Sequence, residues 1–266
     1  MLFGEIVYGP IHSRRLGVSL GMNLMPTDRK LCTFDCIYCE CGFNGIVPHP
    51  QLPTRVEVAD ALERKLLSLQ AEGIRPDVIT FSGNGEPTLH LDFLGIIEDT
   101  CRLRDLFCPS AKVSVLTNST QLIRPDVVQA LHMCDNRILK LDSAITHTMR
   151  LIDQPVNADL TSERVIELLE QFDGRFTLQT CFLGGEVSSP NPNRKESYLL
   201  GHVDNTTEEE LTAWYAAVRR LRPEHVMIYV IDRATPVKTL EKISPEQMHA
   251  IARPLQDEGF DVSISC

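Results

Sequence analysis

The stretch Cys32-Thr-Phe-Asp-Cys36-Ile-Tyr-Cys39 places three cysteines in a C-x3-C-x2-C pattern. A structural zinc site is normally closed by four protein ligands. Three thiolates on a [4Fe–4S] cluster instead leave one iron open to another ligand. The pattern therefore predicts a reactive iron–sulfur centre, with zinc binding by the same loop as the alternative.

The other six cysteines show no comparable spacing. The total of nine is odd and the cytosol keeps thiols reduced, so a disulfide framework is not expected. A second cluster would show its own tight spacing such as C-x2-C, and we therefore predict one cluster. Packing is the expected role of Cys101, Cys108 and Cys134. Cys41 is interpreted as an inert thiol or a residue of the site, and Cys266 as an exposed thiol with no assigned role.

The composition excludes several classes of protein. The 266 residues are 43% hydrophobic and 23% charged, which suits a large core and not a disordered chain. The net charge of -10 does not favour nucleic acid as a partner, because a broad basic surface is missing. No apolar run approaches the roughly 18 residues of a membrane span, and Glu5 and Pro10 interrupt the start where a signal peptide is apolar. We expect a cytoplasmic protein without membrane contact.

Apolar periodicity predicts helices and strands that alternate along the chain. Residues 56–73 show helical spacing, and 77–82 is a short β-branched run typical of a buried strand. Further helices are predicted at 91–106, 125–134, 161–172, 208–221 and 244–259, and further strands at 112–118, 137–142, 175–183, 225–232 and 259–266. This alternation predicts βαβ units and a parallel sheet.

About six such units are present, fewer than the eight of a closed (β/α) barrel. Periodicity leaves a partial barrel and an open doubly wound sheet as alternatives. In both, chemistry is expected at the carboxyl ends of the strands. The cysteine loop, the GNGEP turn at 83–87, Asn118, Asp142 and Asp232 all fall at such ends.

The chain length favours a single domain over residues 1–266. The segment 184–207 is rich in Gly, Pro, Ser and Asn, and it is longer than an ordinary connector. We interpret this segment as an insertion or lid on the substrate side.

These motifs resemble the radical S-adenosylmethionine (SAM) superfamily. The resemblance is carried by C-T-F-D-C-I-Y-C at 32–39, S-G-N-G-E-P at 82–87 and G-P-I-H-S-R-R-L-G-V-S-L-G at 9–21. The last of these motifs and residues 81–89 are most similar to the branch of Fe–S oxidoreductases that contains the wyosine-forming tRNA enzymes. The order of strands and helices matches over nearly the whole chain, which implies a partial (β/α)6 barrel.

The resemblance implies a radical SAM oxidoreductase with one [4Fe–4S] cluster and SAM as cofactors. Cys32, Cys36 and Cys39 would bind three irons, and the amino and carboxylate groups of SAM would bind the fourth. A reductant such as flavodoxin or ferredoxin would reduce the cluster. SAM would then be cleaved to methionine and a 5′-deoxyadenosyl radical, which abstracts hydrogen from an unidentified substrate.

The resemblance also implies residues that hold SAM. Glu86 would meet the methionine ammonium beside the backbone of Gly83, Asn84 and Gly85, and Tyr38 would lie near the adenine.

Two further groups of residues are weaker candidates for the site. Asn118, Lys140 and Asp142 resemble residues that hold the ribose and the carboxylate of SAM. Arg14 and Arg15 lie near the cysteine loop and are candidates for contact with an anionic substrate or with SAM. The alternative for the two arginines is an ordinary solvated surface.

Several functions remain open at this point. Within the superfamily these are modification of tRNA, activation of a glycyl-radical partner, and modification of a small molecule or peptide. The charge of -10 weighs against tRNA unless a partner delivers the RNA. A non-catalytic zinc-binding regulatory module is the alternative of another class.

Overall fold

The computed structural model describes residues 2–13, 17–45, 50–187 and 200–266. Arg14 and Arg15 lie outside these residues. Within the described part of the chain, no helix combines the length and the apolar character needed to cross a bilayer. The elements, in chain order, are β1 (Val7–Ser13), β2 (Gly17–Asn23), α1 (Arg55–Ala71), β3 (Val78–Ser82), α2 (Phe93–Phe107), β4 (Lys112–Thr117), α3 (Pro125–Met133), β5 (Asn136–Lys140), α4 (Thr146–Asp153), α5 (Ser162–Leu169), β6 (Thr177–Val187), β7 (Gly201–Asp204), α6 (Glu208–Leu221), β8 (His225–Val230), β9 (Leu240–Lys242), α7 (Pro245–Asp257) and β10 (Val262–Ser265).

The chain divides into two compact units. The first unit comprises Met1–Cys32, Gly45–Thr117 and Gln121–Ile138, and the second comprises Thr33–Asn44, Asn118–Thr120 and Leu139–Cys266. The strand order is β1-β2-β3-β4-β5-β6-β8-β10, and β5 is divided between the units. A single domain over residues 1–266 stays a prediction.

The first unit is built on β1 to β4. Strand β1 is antiparallel to β2, whereas β2, β3 and β4 run parallel. Helix α1 begins at a capping box, in which the side chains of Thr54 and Glu57 each accept a hydrogen bond from the other residue's backbone N–H. The buried positions of α1 carry the apolar spacing seen in the sequence: Val58, Leu62, Leu66 and Leu69.

The second unit contains the parallel strands β6, β8 and β10. The short strands β7 and β9 pair antiparallel with the carboxyl half of β6. A buried cluster joins Ile37 of the cysteine loop to α4 and to β6 and β7, through Leu151, Ile152, Cys181, Leu183, Val187 and Val203. The predicted α/β class with a parallel sheet is therefore confirmed.

Four elements differ from the sequence prediction. The strands β1, β7 and β9 and the helix α4 were not predicted. Helix α4 starts after Ile145 without a side-chain cap, so no capping signal marks it. The segment 184–207 is not a single insertion. Strand β6 continues through Val187 because β7 and β9 satisfy its backbone groups there. Residues 188–199 of that segment lie outside the described residues.

Gly85 allows the GNGEP turn to approach the cysteine loop. Leu31 donates its N–H to the Asn84 carbonyl at 2.9 Å and accepts the Glu86 N–H at 3.0 Å. Gly85 has φ +149°, and a Cβ added there would lie 1.8 Å from the Leu31 carbonyl oxygen. Any other residue at 85 would therefore displace the backbone beside Cys32.

We expect Gly85→Ala to lower the free energy of unfolding by about 2–6 kcal/mol, because backbone strain and overpacking each cost about 1–3 kcal/mol. Gly73→Ala is the matched control. Gly73 also has a positive φ, of +72°, but has no atom within 4 Å of an added Cβ. The control should lose only about 1–2 kcal/mol. Urea denaturation measures both values, and equal losses would contradict the close approach to Leu31.

Candidate functional site

Glu86 lies in the turn after β3, where it caps a short 3-10 turn at Pro87–Leu89. Its side chain is buried, at 2% exposure. Its Oε1 accepts hydrogen bonds from the Thr88 N–H at 3.1 Å, the Thr88 hydroxyl at 2.6 Å and the Thr117 hydroxyl at 2.7 Å. These three donors fix the orientation of a buried carboxylate at the carboxyl ends of β3 and β4.

Asn84 in the same turn is engaged in structural contacts. Its side chain accepts the Phe3 N–H at 2.8 Å and donates to the carbonyls of Phe3 and Pro26, each at 2.8 Å. Its backbone N–H donates to Asn23 Oδ1 at 3.0 Å, and its carbonyl accepts from Leu31. Asn84 therefore fastens the turn to the start of the chain and to the cysteine loop.

The motif cysteines are more exposed than three other cysteines of the chain. All nine cysteines are described, and each is a thiol rather than part of a disulfide. Cys32, Cys36 and Cys39 are partly exposed, as are Cys41 and Cys101. The buried cysteines are Cys108, Cys134 and Cys181. Burial raises the pKa of these three thiols, which disfavours the thiolate form that binds metal.

The loop from Thr33 to Tyr38, within the second unit, lies against the end of α4. Asp35 donates its N–H to the Asp153 carbonyl, and Ile37 donates to the Ile152 carbonyl, both at 2.9 Å. Ile37 packs into the core, with 0% exposure. The backbone of this loop is therefore bonded to α4 at Asp35 and Ile37, and the Ile37 side chain also packs into the core.

The intervening residues of this loop all contact Lys140 at the end of β5. The Lys140 ammonium nitrogen lies 3.0 Å from the Cys36 sulfur and 5.1 Å from the ring centres of both Phe34 and Tyr38. The Lys140 side chain is only 11% exposed. The Lys140 ammonium therefore contacts Phe34, Cys36 and Tyr38, which alternate with Asp35 and Ile37 along the loop.

Two buried carboxylates surround the same ammonium. Asp142 lies 3.1 Å from Lys140 Nζ, and Asp153 accepts a hydrogen bond from it. Burial opposes the charge on Lys140, but the two carboxylates outweigh it and hold the pKa of Lys140 well above its ordinary value. Burial raises the pKa of Asp153 to about 7, against the opposing effect of Lys140.

Asp142 also organises the tyrosines of the site. Its carboxylate accepts the Tyr38 hydroxyl at 2.5 Å and the Cys181 N–H at 2.9 Å. Tyr229 donates to the Tyr38 hydroxyl at 3.4 Å. Burial, followed by the charge of Asp142, raises the pKa of Tyr38 well above its ordinary value. Tyr38 is therefore a neutral hydrogen-bond donor at neutral pH.

Asn118, directly after β4, holds the beginning of the loop. Its amide donates to the Thr33 hydroxyl at 2.8 Å and accepts from the Thr120 N–H at 3.1 Å and the Thr120 hydroxyl at 2.8 Å. The hydroxyls of Thr33 and Thr120 lie 2.7 Å apart. The structure thus brings Asn118 to Thr33, and Tyr38, Lys140 and Asp142 to one another.

Asp153 and Asn205 contribute contacts that the sequence did not reveal. Asn205 is 1% exposed, accepts the Leu183 N–H at 2.9 Å, and donates to the carbonyls of Asp142 and Cys181 at 2.8 Å. Its Asn-Thr-Thr sequence matches only a glycosylation pattern, which is incidental for a buried amide. Asp153 belongs to no motif, and only its place at the end of α4 brings it to Lys140.

The donor chemistry of the loop suits an iron–sulfur cluster, which takes each cysteine thiolate on a separate iron. Within the described residues, no three His, Cys, Asp or Glu side chains form a group able to hold one metal ion. The loop supplies thiols, and a cation lies against one of them.

Residues 30–172 match a protein-family model described as the radical SAM superfamily. A protein of Methanocaldococcus jannaschii, named UPF0026, is 31% identical over 185 residues, which are 67% of this chain and 54% of that protein. The chain covers only 32%, 54% and 59% of the length of three curated relatives.

Two solved structures have a similar fold. TYW1 with a lysine-pyruvate adduct has a TM-score of 0.61 at 14% identity, covering 91% of this chain and 74% of that one. Streptococcus suis SuiB bound to S-adenosylmethionine has a TM-score of 0.59 at 15% identity, covering 89% of this chain and 48% of that one. With the parallel sheet, this similarity agrees with the predicted partial-barrel fold.

We expect Thr117→Val to lower the free energy of unfolding by about 1.5–3 kcal/mol, because it removes a hydrogen bond to the buried carboxylate of Glu86. Thr80→Val is the matched control on the neighbouring strand. Thr80 is also buried and bonds the neutral Ser19 hydroxyl at 2.9 Å. The control should lose about 0.5–1.5 kcal/mol. Chemical denaturation measures both, and a smaller loss for Thr117→Val would contradict the stronger bond.

Proposed function

The chain belongs to the radical SAM superfamily, and on that premise we propose that it is an enzyme that holds one [4Fe–4S] cluster on Cys32, Cys36 and Cys39 and binds SAM beside it. The chemistry that these cofactors supply when bound is abstraction of a hydrogen atom from a substrate. We therefore assign the protein to the oxidoreductases. A reductant such as flavodoxin or ferredoxin would supply the electron.

The backbone pairing of Leu31 with the GNGEP turn carries this proposal. The two hydrogen bonds of Leu31, to Asn84 and Glu86, tie the residue before Cys32 to the turn that holds the buried carboxylate. A small amino acid that bridges an iron and a carboxylate needs both within a short span. Because these hydrogen bonds join Leu31, the neighbour of Cys32, to the turn that carries Glu86, they support SAM as that ligand.

Glu86 is the residue that we assign to the methionine ammonium of SAM. Its Oε1 is fixed by three donors, so the carboxylate needs no reorientation to pair with a cation. The backbone of Gly83, Asn84 and Gly85 would form the edge beside it. We also propose that the adenine of SAM lies near Tyr38, whose side chain is a neutral phenol ring.

The roles of Asn118, Lys140 and Asp142 toward the ribose and carboxylate of SAM stay predictions. Asn118 holds Thr33, and the carboxylate of Asp142 accepts the Tyr38 hydroxyl. These contacts support a part in shaping the cysteine loop.

The substrate class follows from charge rather than from the fold. A chain with a net charge of -10 favours a small molecule or a peptide over a broad RNA surface, because RNA binding depends on neutralising phosphates. Modification of tRNA with a partner protein and activation of a glycyl-radical protein are the alternatives. Arg14 and Arg15 remain candidates for contact with an anionic substrate, and the segment around β7 for contact on the substrate side.

We expect Glu86→Gln to weaken SAM binding by about 10- to 100-fold, because the lost charge-assisted bond is worth about 1.5–3 kcal/mol. Equilibrium binding of SAM to the cluster-loaded protein measures this. Glu63→Gln is the matched control, since Glu63 is an exposed residue of α1. An unchanged dissociation constant in Glu86→Gln would remove Glu86 from the site.

Each of Cys32→Ala, Cys36→Ala and Cys39→Ala should lose the visible absorption of the cluster and the formation of 5′-deoxyadenosine, since each cysteine anchors one iron. Cys41→Ala and Cys134→Ala are the controls and should keep about four irons per chain, the content of one cubane. Iron and sulfide analysis after anaerobic reconstitution measures this. Loss of iron in Cys41→Ala equal to that in Cys39→Ala would contradict the three-ligand assignment.

The same experiment tests the alternative function. A zinc-binding regulatory module would be colourless, would contain zinc in place of iron and sulfide, and would not cleave SAM. Zinc as the bound metal of the anaerobically purified wild type would overturn the proposed function.

A further inference from the structure

Lys140 has an environment unlike that of a surface lysine. Its ammonium is almost fully buried and has Asp142 and Asp153 as countercharges, with side-chain exposures of 0% and 3%. A buried ammonium is stable only when close anionic partners offset its desolvation. The two carboxylates therefore keep a fixed positive charge at the end of β5.

The ammonium of Lys140 donates hydrogen bonds to two residues. Lys140 Nζ donates to the carboxylate of Asp153 and to the sulfur of Cys36 at 3.0 Å, and it forms an ion pair with the carboxylate of Asp142 at 3.1 Å. One donor of the ammonium thus points at a sulfur that we assign to the cluster.

The loop geometry keeps that donor on the sulfur. Phe34 and Tyr38 place their rings at equal distances from the ammonium, on either side of Cys36 in the sequence. The backbone bonds of Asp35 and Ile37 to α4 hold the same segment from its other side. A different orientation of Lys140 would therefore lose its contacts to Phe34, Cys36 and Tyr38.

We propose that Lys140 is a positioning residue that sets the reduction potential of the cluster by donating a charged hydrogen bond to the Cys36 sulfur. The inference rests on the proposed function, because it requires a cluster on Cys36. A positive donor at a ligating sulfur stabilises the reduced form, which carries one more negative charge. In a site of low dielectric, this stabilisation is stronger than in water.

Removing the ammonium and removing one of its carboxylates should shift the reduction potential of the cluster in opposite directions. Lys140→Met keeps the length of the side chain and removes the positive donor, so it should make the potential more negative. The pKa of Asp153 is raised to about 7 by burial, so the comparison is made at about pH 9, where Asp153 is ionised. There Asp153→Asn keeps the shape and removes a negative charge that partly cancels the ammonium, so it should make the potential less negative. A purely structural role would loosen the loop in both variants and would not separate them by sign.

The experiment is a redox titration of the reconstituted protein, followed by electron paramagnetic resonance in the absence of SAM. We expect a change of at least about tenfold in the equilibrium constant for reduction in Lys140→Met, which is about 59 mV for one electron. Lys112→Met is the matched control, because Lys112 is exposed at the start of β4. The SAM dissociation constant of Lys140→Met is measured on the same protein and separates an effect on the potential from direct contact between Lys140 and SAM.

The outcomes separate the proposals. An unchanged potential in Lys140→Met with a full complement of iron, or shifts of the same sign in both variants, would overturn the role of Lys140. Weakened SAM binding with an unchanged potential would instead place Lys140 on SAM. If Lys140→Met does not retain a cluster, Lys140→Gln decides, because it removes the charge but keeps a hydrogen-bond donor and should also make the potential more negative. A wild type that binds no cluster overturns the proposed function itself.

Discussion

An ammonium buried among protein groups must be matched by countercharges, and at Lys140 these come from separate parts of the chain. Asp142 follows β5 by two residues, and Asp153 ends α4. The cysteine loop then closes over the same ammonium with Phe34, Cys36 and Tyr38. Removing either carboxylate would leave a buried charge underneath the loop, so the position of the loop depends on the pairing between β5 and α4. The second half of the motif is thus placed by long-range electrostatics as well as by its own sequence.

The regular elements could be predicted from the sequence where burial imposes a period. The helix α1 and the strands β3 and β4 appear as periodic runs, because one face or both faces of each are covered. The helix α4 could not be found in this way, because it is short and starts without a cap. Strand β9 has only three residues and depends on β6 for its hydrogen bonds. Short elements of this kind form because they pair with another element, and this pairing cannot be predicted from a single sequence.

The residues of the candidate site also differ in whether the sequence predicts them. The motif cysteines and Glu86 carry local patterns that a sequence can show, and family membership agrees with them. Asp153 and Asn205 carry no such pattern, since their partners are distant in sequence and are reached only through the fold. Asn205 illustrates the difference most clearly, because its local sequence suggests a surface modification and its amide is buried against Asp142 and Cys181. Spacing can reveal ligands of a metal, whereas the residues that hold those ligands follow from tertiary contacts.

The approach of Gly85 to Leu31 has a consequence for how this family can diverge. Two segments outside the strands share one pair of hydrogen bonds, and their register is set by a position that has no side chain. An insertion or deletion of one residue between Ser82 and Glu86 would shift the glycine away from Leu31 and put a side chain in its place. Evolution can therefore exchange residue types around this turn, but it must preserve the number of residues between Ser82 and Glu86.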